Sequence, residues 1–130
     1  IKPNLHELEE LFGVNIQTKE EMIDYAFQLQ EKGTRNVLIS CGGEGAFLVN
    51  ETGQVFTSNT PKGMLINSVG AGDSMLAGFM ARFIETSDYR KSLKQGAASG
   101  SATAFSVGIA TRELIEELIP QIEITEISRQ

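Results

Sequence analysis

The sequence predicts an α/β domain in which helices cover a mixed or parallel sheet. Three observations lead to this class. Helical segments and strand-length apolar runs alternate early in the chain, two such runs flank a short polar turn, and three helical segments follow. The 130 residues, 41% of them hydrophobic and 22% charged, are enough for one compact domain with its own core.

The first two helices are predicted from their caps. Asn4 follows a proline and is placed to cap a short helix, with Glu7 at the third helical position. Thr18 and Glu21 form a second capping box, and the helix that they open has its apolar residues at helical spacing. Gly33 is a natural end for that helix, because glycine adopts the left-handed conformation that closes many helices.

Four segments have the composition of strands. Residues 36–41 and 46–50 are short apolar runs, and 54–58 follows the second of them after Glu51-Thr52-Gly53. This spacing is typical of a β-hairpin. The alternating segment 122–127 is predicted to be an edge strand.

Three helices are predicted in the second half of the chain. The turn at Gly70–Asp73 opens the first, which runs to about residue 84, and Ser87 is expected to cap the second, which runs to about residue 105. Thr111 caps the third. The apolar residues of the first of these helices fall on one stripe, which suggests burial: Met75, Leu76, Phe79, Met80 and Phe83.

Composition narrows the function classes. Eleven Lys and Arg against seventeen Asp and Glu give a net charge of −6, which argues against nucleic acid or an anionic membrane as the main partner. No apolar run is long enough to span a bilayer. Cys41 is the only cysteine, so no intrachain disulfide can form, and we expect a reducing, cytoplasmic location.

The stretch Gly70-Ala71-Gly72-Asp73 has the composition of a phosphate-binding helix start. The first amides of a helix have no partner within the helix, and small residues let an anion approach them closely. Asp73 in the first turn could orient an attacking hydroxyl and accept its proton, which is the arrangement that phosphoryl transfer needs. The alternative is a structural turn in which the carboxylate only complements the helix dipole.

Residues 67–79, NSVGAGDSMLAGF, resemble the signature of the ribokinase-like sugar kinases, also called the phosphofructokinase-B family. The resemblance implies a three-layer α/β/α sandwich and ATP-dependent phosphorylation of a sugar hydroxyl. It also implies that Asp73 is the catalytic base, and that Gly70, Ala71 and Gly72 form the anion hole for the transferred phosphate.

Asn4-Leu5-His6-Glu7 matches the N-x-x-E motif of the same family. In the family this motif organises Mg²⁺ and the phosphates, mostly through water, so the resemblance assigns Asn4 and Glu7 to a magnesium site. Taken alone the pattern is only a helix cap, and Glu7 could serve both purposes.

The glycine-rich turn at residues 40–46 is neither a dinucleotide-binding fingerprint nor a P-loop. The resemblance places it beside the nucleotide, with Ser40, Gly43 and Gly45 as the contacts. The alternative is a tight turn after a strand.

The segment 97–104 consists almost entirely of small residues. The resemblance places adenine against this helix, and Ala98, Ser101 and Ala104 are candidate contacts at helical spacing. Close packing of two helices explains the same composition equally well.

Three stretches, KPNLHELEELFG, GAGDSMLAGF and GSATAFSVGIATRE, are most similar to family members that convert fructose 1-phosphate and ATP to fructose 1,6-bisphosphate. Kinases of tagatose 6-phosphate are the nearest alternative, and a non-catalytic module that binds a nucleotide or an anion is another. The resemblance implies that residues 1–130 are the C-terminal, ATP-binding and catalytic portion, without the N-terminal sugar-binding half and lid. We therefore expect no turnover by this chain alone, and self-association into a homo-oligomer, with a dimer as the expected form, through the surfaces left open.

Overall fold

The computed structural model describes residues 3–41, 45–61, 71–105 and 111–127. The described elements, in chain order, are α1 (Leu5–Phe12), α2 (Lys19–Glu31), β1 (Val37–Ser40), β2 (Ala46–Val49), β3 (Val55–Ser58), α3 (Ala71–Thr86), α4 (Tyr89–Ala104), α5 (Arg112–Leu118), a 3₁₀ turn (Ile119–Gln121) and β4 (Ile124–Ile127). Among these, no helix is long and apolar enough to cross a membrane.

The four strands form one sheet in the order β1-β2-β3-β4, and every neighbouring pair is antiparallel. The predicted hairpin between β2 and β3 is confirmed, but the expected mixed or parallel sheet is wrong for these strands. Only a few residues separate β1 from β2, whereas a parallel connection needs about a dozen or more. The parallel contact in the described ranges is an isolated bridge between Asn4 and Ser40.

Helices pack on both faces of the sheet, because successive side chains of a strand point to opposite sides. On one face Val37 packs in a cluster with Leu8 of α1 and with apolar residues of α2. On the other face Leu38 packs with Phe79 of α3 and Leu93 of α4. The arrangement is that of an α/β fragment with its core divided by the sheet.

The helix caps largely follow the sequence. Asn4 and Glu7 form the predicted capping box of α1. Thr18 caps α2 by accepting from the Glu21 amide. Thr111 caps α5 in the same way.

The predicted cap of α4 is wrong by one residue. Asp88 rather than Ser87 is the N-cap, and its carboxylate accepts from the Lys91 amide at 3.0 Å. Because α3 continues to Thr86, Ser87 becomes the residue that reverses the chain, and it has a φ of +54°. That conformation is left-handed and uncommon outside glycine.

The apolar stripe of α3 is only partly buried, in contrast to the sequence expectation. Phe79 is buried, and Met75 and Phe83 pack beside it. Leu76 and Met80, however, are 39% and 47% exposed. These two side chains lie toward a side of α3 that neither the sheet nor α4 covers.

Candidate functional site

Helix α3 begins at the end of the sheet where β1 and β3 end. Tyr89, just after α3, donates its hydroxyl to the Glu51 carboxylate at 3.4 Å, and Glu51 lies in the hairpin turn at the other end of the sheet. A helix of 16 residues spans about 24 Å, whereas a strand of four residues spans about 13 Å. The start of α3 therefore lies at or beyond the sheet end that contains Ser40 and Ser58.

The same end of the sheet brings together two of the sequence-predicted site residues. Asn4 bridges to Ser40, and the Ser40 amide donates to the Pro3 carbonyl at 3.3 Å. Ser40 is half-buried and lies in one register row with Ala46 and Ser58. The motif around Asn4 and the turn after β1 are thus neighbours in space, although 36 positions separate them in the sequence.

Helix α4 holds the first turn of α3 in place. Thr103 donates from its hydroxyl to Ser74 Oγ at 2.7 Å. A Cβ on Gly100 would lie 3.1 Å from the Ala71 carbonyl oxygen, and one on Gly96 would lie 2.8 Å from the Met75 carbonyl oxygen. The small residues of α4 therefore allow close helix packing, which was the alternative to an adenine-binding role.

Asp73 lies in the first turn of α3 and is exposed, while Ala71 and Gly72 beside it are half-buried. In the part of the chain that the structure describes, Asp73 makes no hydrogen bond and no ion pair. The role of Asp73 as the catalytic base stays a prediction. Gly70 lies outside the described residues, and the anion-hole role of this turn stays a prediction.

Asn4 and Glu7 are tied to each other as a capping box. The Glu7 amide donates to Asn4 Oδ1 at 2.8 Å, and the Asn4 amide donates to Glu7 Oε1 at 3.0 Å. No group of three or more His, Cys, Asp or Glu side chains suited to a metal occurs within the described ranges. Both side chains are exposed, so the box leaves Glu7 Oε2 open to water, and a magnesium role through water stays compatible with this geometry.

Gly45 has a structural reason to be glycine. Its φ is +92°, and a Cβ at this position would overlap the Ser58 carbonyl oxygen. The close approach of β3 explains this glycine without a nucleotide. Gly43 lies outside the described residues, so its contact with phosphate or ribose stays a prediction.

Ser58 is a site candidate that the sequence did not reveal. It is 4% exposed, and its Oγ has no hydrogen-bond partner among the residues described. A buried hydroxyl without a partner is unfavourable by about 1–3 kcal/mol, so a polar ligand or a water molecule fits this position. The available signal was the alternation of β3, which puts Ser58 on the inward face that Phe56 also occupies.

Ala98 was a candidate contact for adenine, but in the structure it cannot touch a base. It has no exposed surface, because it packs in a cluster with Leu118 of α5 and with Ile122. Ser101 and Ala104 are half-buried and keep accessible surface. Of the three candidate contacts for adenine, Ser101 and Ala104 therefore remain.

Tyr89 links α4 to the hairpin and has a perturbed acidity. Burial raises the pKa of its phenol above 10.0, and the nearby Glu51 carboxylate raises it further. A charged phenolate would be poorly solvated here and would be repelled by Glu51. The neutral form keeps the hydrogen bond that joins the start of α4 to the hairpin turn.

Comparisons with known proteins match nearly the whole chain. The sequence model for pfkB family carbohydrate kinases matches residues 1–116. The 1-phosphofructokinase of Bacillus subtilis is 44% identical over 128 residues, which are 98% of this chain and 42% of the relative. The 1-phosphofructokinase of Borreliella burgdorferi is 35% identical, over 98% of this chain and 41% of the relative. A D-tagatose-1-phosphate kinase of Bacillus licheniformis is 33% identical, over 98% and 42%.

Solved structures agree with these sequence matches. A provisionally assigned phosphofructokinase from Staphylococcus aureus superimposes with a TM-score of 0.93 and 35% identity, over 100% of this chain and 42% of that one. Arabidopsis thaliana ribokinase, complexed with ribose and ATP, gives a TM-score of 0.81 at 24% identity, over 91% and 39%. The second likeness concerns the fold alone.

The chain spans about two-fifths of the length of the relatives that it matches. These shares state how much of each relative is matched and not which end of it. The placement at the carboxyl-terminal end therefore stays a prediction.

Proposed function

Because the chain belongs to the pfkB family of carbohydrate kinases, we propose that it supplies the phosphoryl-transfer part of an enzyme that phosphorylates a sugar phosphate with ATP. The proposed reaction converts fructose 1-phosphate to fructose 1,6-bisphosphate, in the cytoplasm. The support for this acceptor is the similarity to relatives named 1-phosphofructokinase. A tagatose phosphate is the second candidate, favoured by the relative named D-tagatose-1-phosphate kinase.

The observation that carries this proposal is the start of α3. An exposed carboxylate without a partner in the described ranges stands in the first turn of a 16-residue helix, and α4 holds that turn through the Thr103–Ser74 hydrogen bond. Free amides and a fixed carboxylate are the two groups that transfer of a phosphoryl group to an alcohol requires.

The proposed chemistry begins when the acceptor hydroxyl donates a hydrogen bond to Asp73. Its oxygen attacks the γ-phosphorus of ATP, so that a new O–P bond forms while the bond from phosphorus to the β,γ-bridging oxygen breaks. The hydroxyl proton passes to Asp73, and ADP leaves. The amides of residues 70–72 stabilise the charge on the equatorial oxygens during transfer.

The remaining candidates are proposed to hold the nucleotide. Ser40, Gly43 and Gly45 lie on the phosphate and ribose side, and Ser101 and Ala104 on the adenine side. Ser58 supports this arrangement, because its backbone lies against Gly45 and its buried hydroxyl lacks a partner among the described residues.

Mg²⁺ bound through water near Asn4 and Glu7 would neutralise phosphate charge. The support for this site is limited to two exposed oxygen-bearing side chains at the same end of the sheet as Ser40. Oxygen ligands that retain several waters are the usual environment of this ion.

We also propose the three-layer α/β/α arrangement for the complete enzyme. The helices that pack on both faces of the described sheet support it. The sugar site would come from the part of the relatives' length that this chain does not span.

The test is a chimera in which this chain replaces the matching residues of the Bacillus subtilis 1-phosphofructokinase. ADP release is measured with fructose 1-phosphate, tagatose 1-phosphate, tagatose 6-phosphate and fructose 6-phosphate as acceptors, and light scattering reports whether the chimera is a dimer. We expect the highest kcat/KM with fructose 1-phosphate. Nucleotide binding without turnover on any acceptor would instead indicate a non-catalytic module.

A further inference from the structure

We propose that Gly100 of α4 is a positioning residue for the phosphoryl transfer, and that it acts through the first turn of α3. The inference rests on the proposed function, in which the amides of residues 70–72 stabilise the transferred group and Asp73 is the base. Gly100 is buried, so it contacts no substrate itself. Its missing side chain instead determines where the turn that carries these groups can lie.

The contact between Gly100 and α3 leaves no room for a side chain. A Cβ on Gly100 would lie 3.1 Å from the Ala71 carbonyl oxygen and 3.2 Å from Met75 Cβ. Ordinary contacts of a Cβ are 3.4 Å or longer, so an alanine would have to push the start of α3 away by a few tenths of an ångström. Gly100 therefore sets the closest approach of α4 to the first turn of α3.

The atom that Gly100 approaches belongs to the proposed anion-binding turn. The Ala71 carbonyl and the Gly72 amide are the two ends of one peptide group, which is planar and moves as a unit. In a helix the carbonyl is directed toward the C-terminus and the amide toward the N-terminus, where an anion binds. A displacement of the Ala71 oxygen is therefore passed directly to the Gly72 amide.

A second contact from α4 holds the same turn. Thr103, one turn after Gly100, donates to Ser74 Oγ at 2.7 Å. At about 100° per residue, Ala71 and Ser74 lie about 60° apart around the axis of α3, whereas Asp73 lies about 130° from the middle of that side. Helix α4 thus holds one side of the turn and leaves the proposed base exposed on another.

A small displacement of this turn should affect the rate more than nucleotide binding. A misplacement of about 1 Å can cost about 10²-fold in rate, so a shift of a few tenths of an ångström should cost about 3- to 10-fold. Fixed donors act mainly on the charge that develops in the transition state, so the loss should fall on kcat rather than on KM for ATP.

The experiment compares Gly100→Ala with Gly96→Ala in the chimera with the Bacillus subtilis relative. Gly96 is the matched control, because it lies one turn earlier on α4 and a Cβ there would be 2.8 Å from the Met75 carbonyl oxygen. Gly96→Ala should therefore lower the unfolding midpoint at least as much, but its contact lies one turn further from the anion-binding amides. The values of kcat and KM for ATP are measured with fructose 1-phosphate, well below both unfolding midpoints.

We expect Gly100→Ala to lower kcat about 3- to 10-fold with KM for ATP within about twofold of the parent, and Gly96→Ala to leave kcat within about twofold. The proposal is overturned if Gly100→Ala keeps kcat within twofold, or if Gly96→Ala lowers kcat equally. Should Gly100→Ala not fold, Thr103→Val loosens the same turn without a clash. An unchanged kcat in Thr103→Val would then also overturn the proposal.

The amide NMR signal of Gly72, observed in the glycine-labelled chimera, separates this inference from the proposed function. Gly100→Ala should shift this signal more than Gly96→Ala does, whether or not the chimera is active. A shifted signal in a chimera that turns over none of the acceptors would retain the link from Gly100 to the turn and reject the kinase reaction. An active chimera in which Gly100→Ala moves neither the signal nor kcat would retain the reaction and reject the positioning role.

Discussion

Some residues of the candidate site have a structural role that already explains their identity, and others do not. Glu7 caps the helix that it belongs to, and Gly45 makes room for β3. The fold alone therefore explains why these two positions hold glutamate and glycine, without any ligand. Asp73 differs from them, because among the described residues nothing in the fold uses its carboxylate.

The first prediction concerns Gly45. Substitution Gly45→Ala should lower the free energy of unfolding by about 3 kcal/mol or more, because it combines a strained positive φ with overlap of the Ser58 carbonyl. Denaturant unfolding of the 130-residue chain measures this. Gly13→Ala is the matched control, since Gly13 has a φ of +65° but nothing within 4 Å of the place that a Cβ would occupy, and it should cost only about 1 kcal/mol. Equal losses in the two variants would contradict the steric account.

The second prediction concerns Tyr89. Its pKa is higher in the folded chain than in the unfolded chain, so the unfolded state releases the phenol proton first as the pH rises. Stability should therefore be complete below pH 10 and should fall as the pH rises through 10 and beyond. Tyr89→Phe should remove part of this alkaline decline, as measured by the denaturation midpoint against pH.

Tyr25→Phe is the control for that series, because it removes the other tyrosine of the chain. It should leave the alkaline decline that depends on Tyr89 in place. A decline that survives in Tyr89→Phe and disappears in Tyr25→Phe would show that the contact between Tyr89 and Glu51 is not responsible.

The sequence predicted most of the helix caps, but not the residues whose role depends on tertiary contacts. Helix caps are local, so Asn4 and Thr18 could be identified from residues three positions away, although only Asn4 forms the complete capping box predicted for both. The burial of Ala98 depends on α5, which is distant in sequence. Ser58 was missed because a buried hydroxyl is recognised only when its surroundings are known.

At the scale of elements, the contact between α3 and α4 determines where the candidate site begins. Gly96 and Gly100 let the helices approach until the first carbonyls of α3 lie against α4, and Thr103 binds Ser74. The start of α3 thus depends on a neighbouring helix as well as on its own sequence.

The third prediction tests this dependence. Thr103→Val keeps the shape of the side chain but removes the hydroxyl, so Ser74 loses its partner and the chain should lose about 1 kcal/mol of stability. Thr103→Ser keeps the hydroxyl and should retain most of that stability. In the chimera, Thr103→Val should also lower kcat/KM more than Thr103→Ser does. Equal behaviour of the two variants would mean that the hydroxyl does not hold α3.

The sequence predicted the positions of the strands more reliably than it predicted how the strands pair. Each predicted strand is present within two residues of its expected bounds. The direction of pairing was predicted wrongly, because alternating helices and strands suggested crossovers, while the short connection from β1 to β2 permits only an antiparallel pair. The exposure of Leu76 and Met80 on α3 could not be predicted either. Helical periodicity shows which side chains share a face, but not whether another element packs against that face.

At the scale of the whole molecule, the chain spans about two-fifths of its relatives. The sheet and its two helix layers are formed within it, whereas Leu76, Met80 and Ile84 of α3 are exposed. The proposed function accordingly assigns the nucleotide side of the enzyme to this chain and the sugar side to the remaining length of the enzyme.

The fourth prediction follows from this division. The 130-residue chain alone should release no ADP in response to fructose 1-phosphate above the background of ATP hydrolysis, because nothing in it is proposed to hold the sugar. The chimera assayed at the same concentration is the positive control. Sugar-dependent turnover by the chain alone would show that it contains an acceptor site.

The most direct test of the proposed phosphoryl transfer is the kinetic effect of Asp73→Asn in the chimera. We expect kcat/KM for fructose 1-phosphate to fall by a factor of about 10² to 10⁴, while the affinity for ATP changes little. Glu85→Gln, an exposed carboxylate on the same helix, should leave both quantities near their starting values. Activity of Asp73→Asn within about threefold of the parent chimera would contradict the assignment of Asp73 as the base.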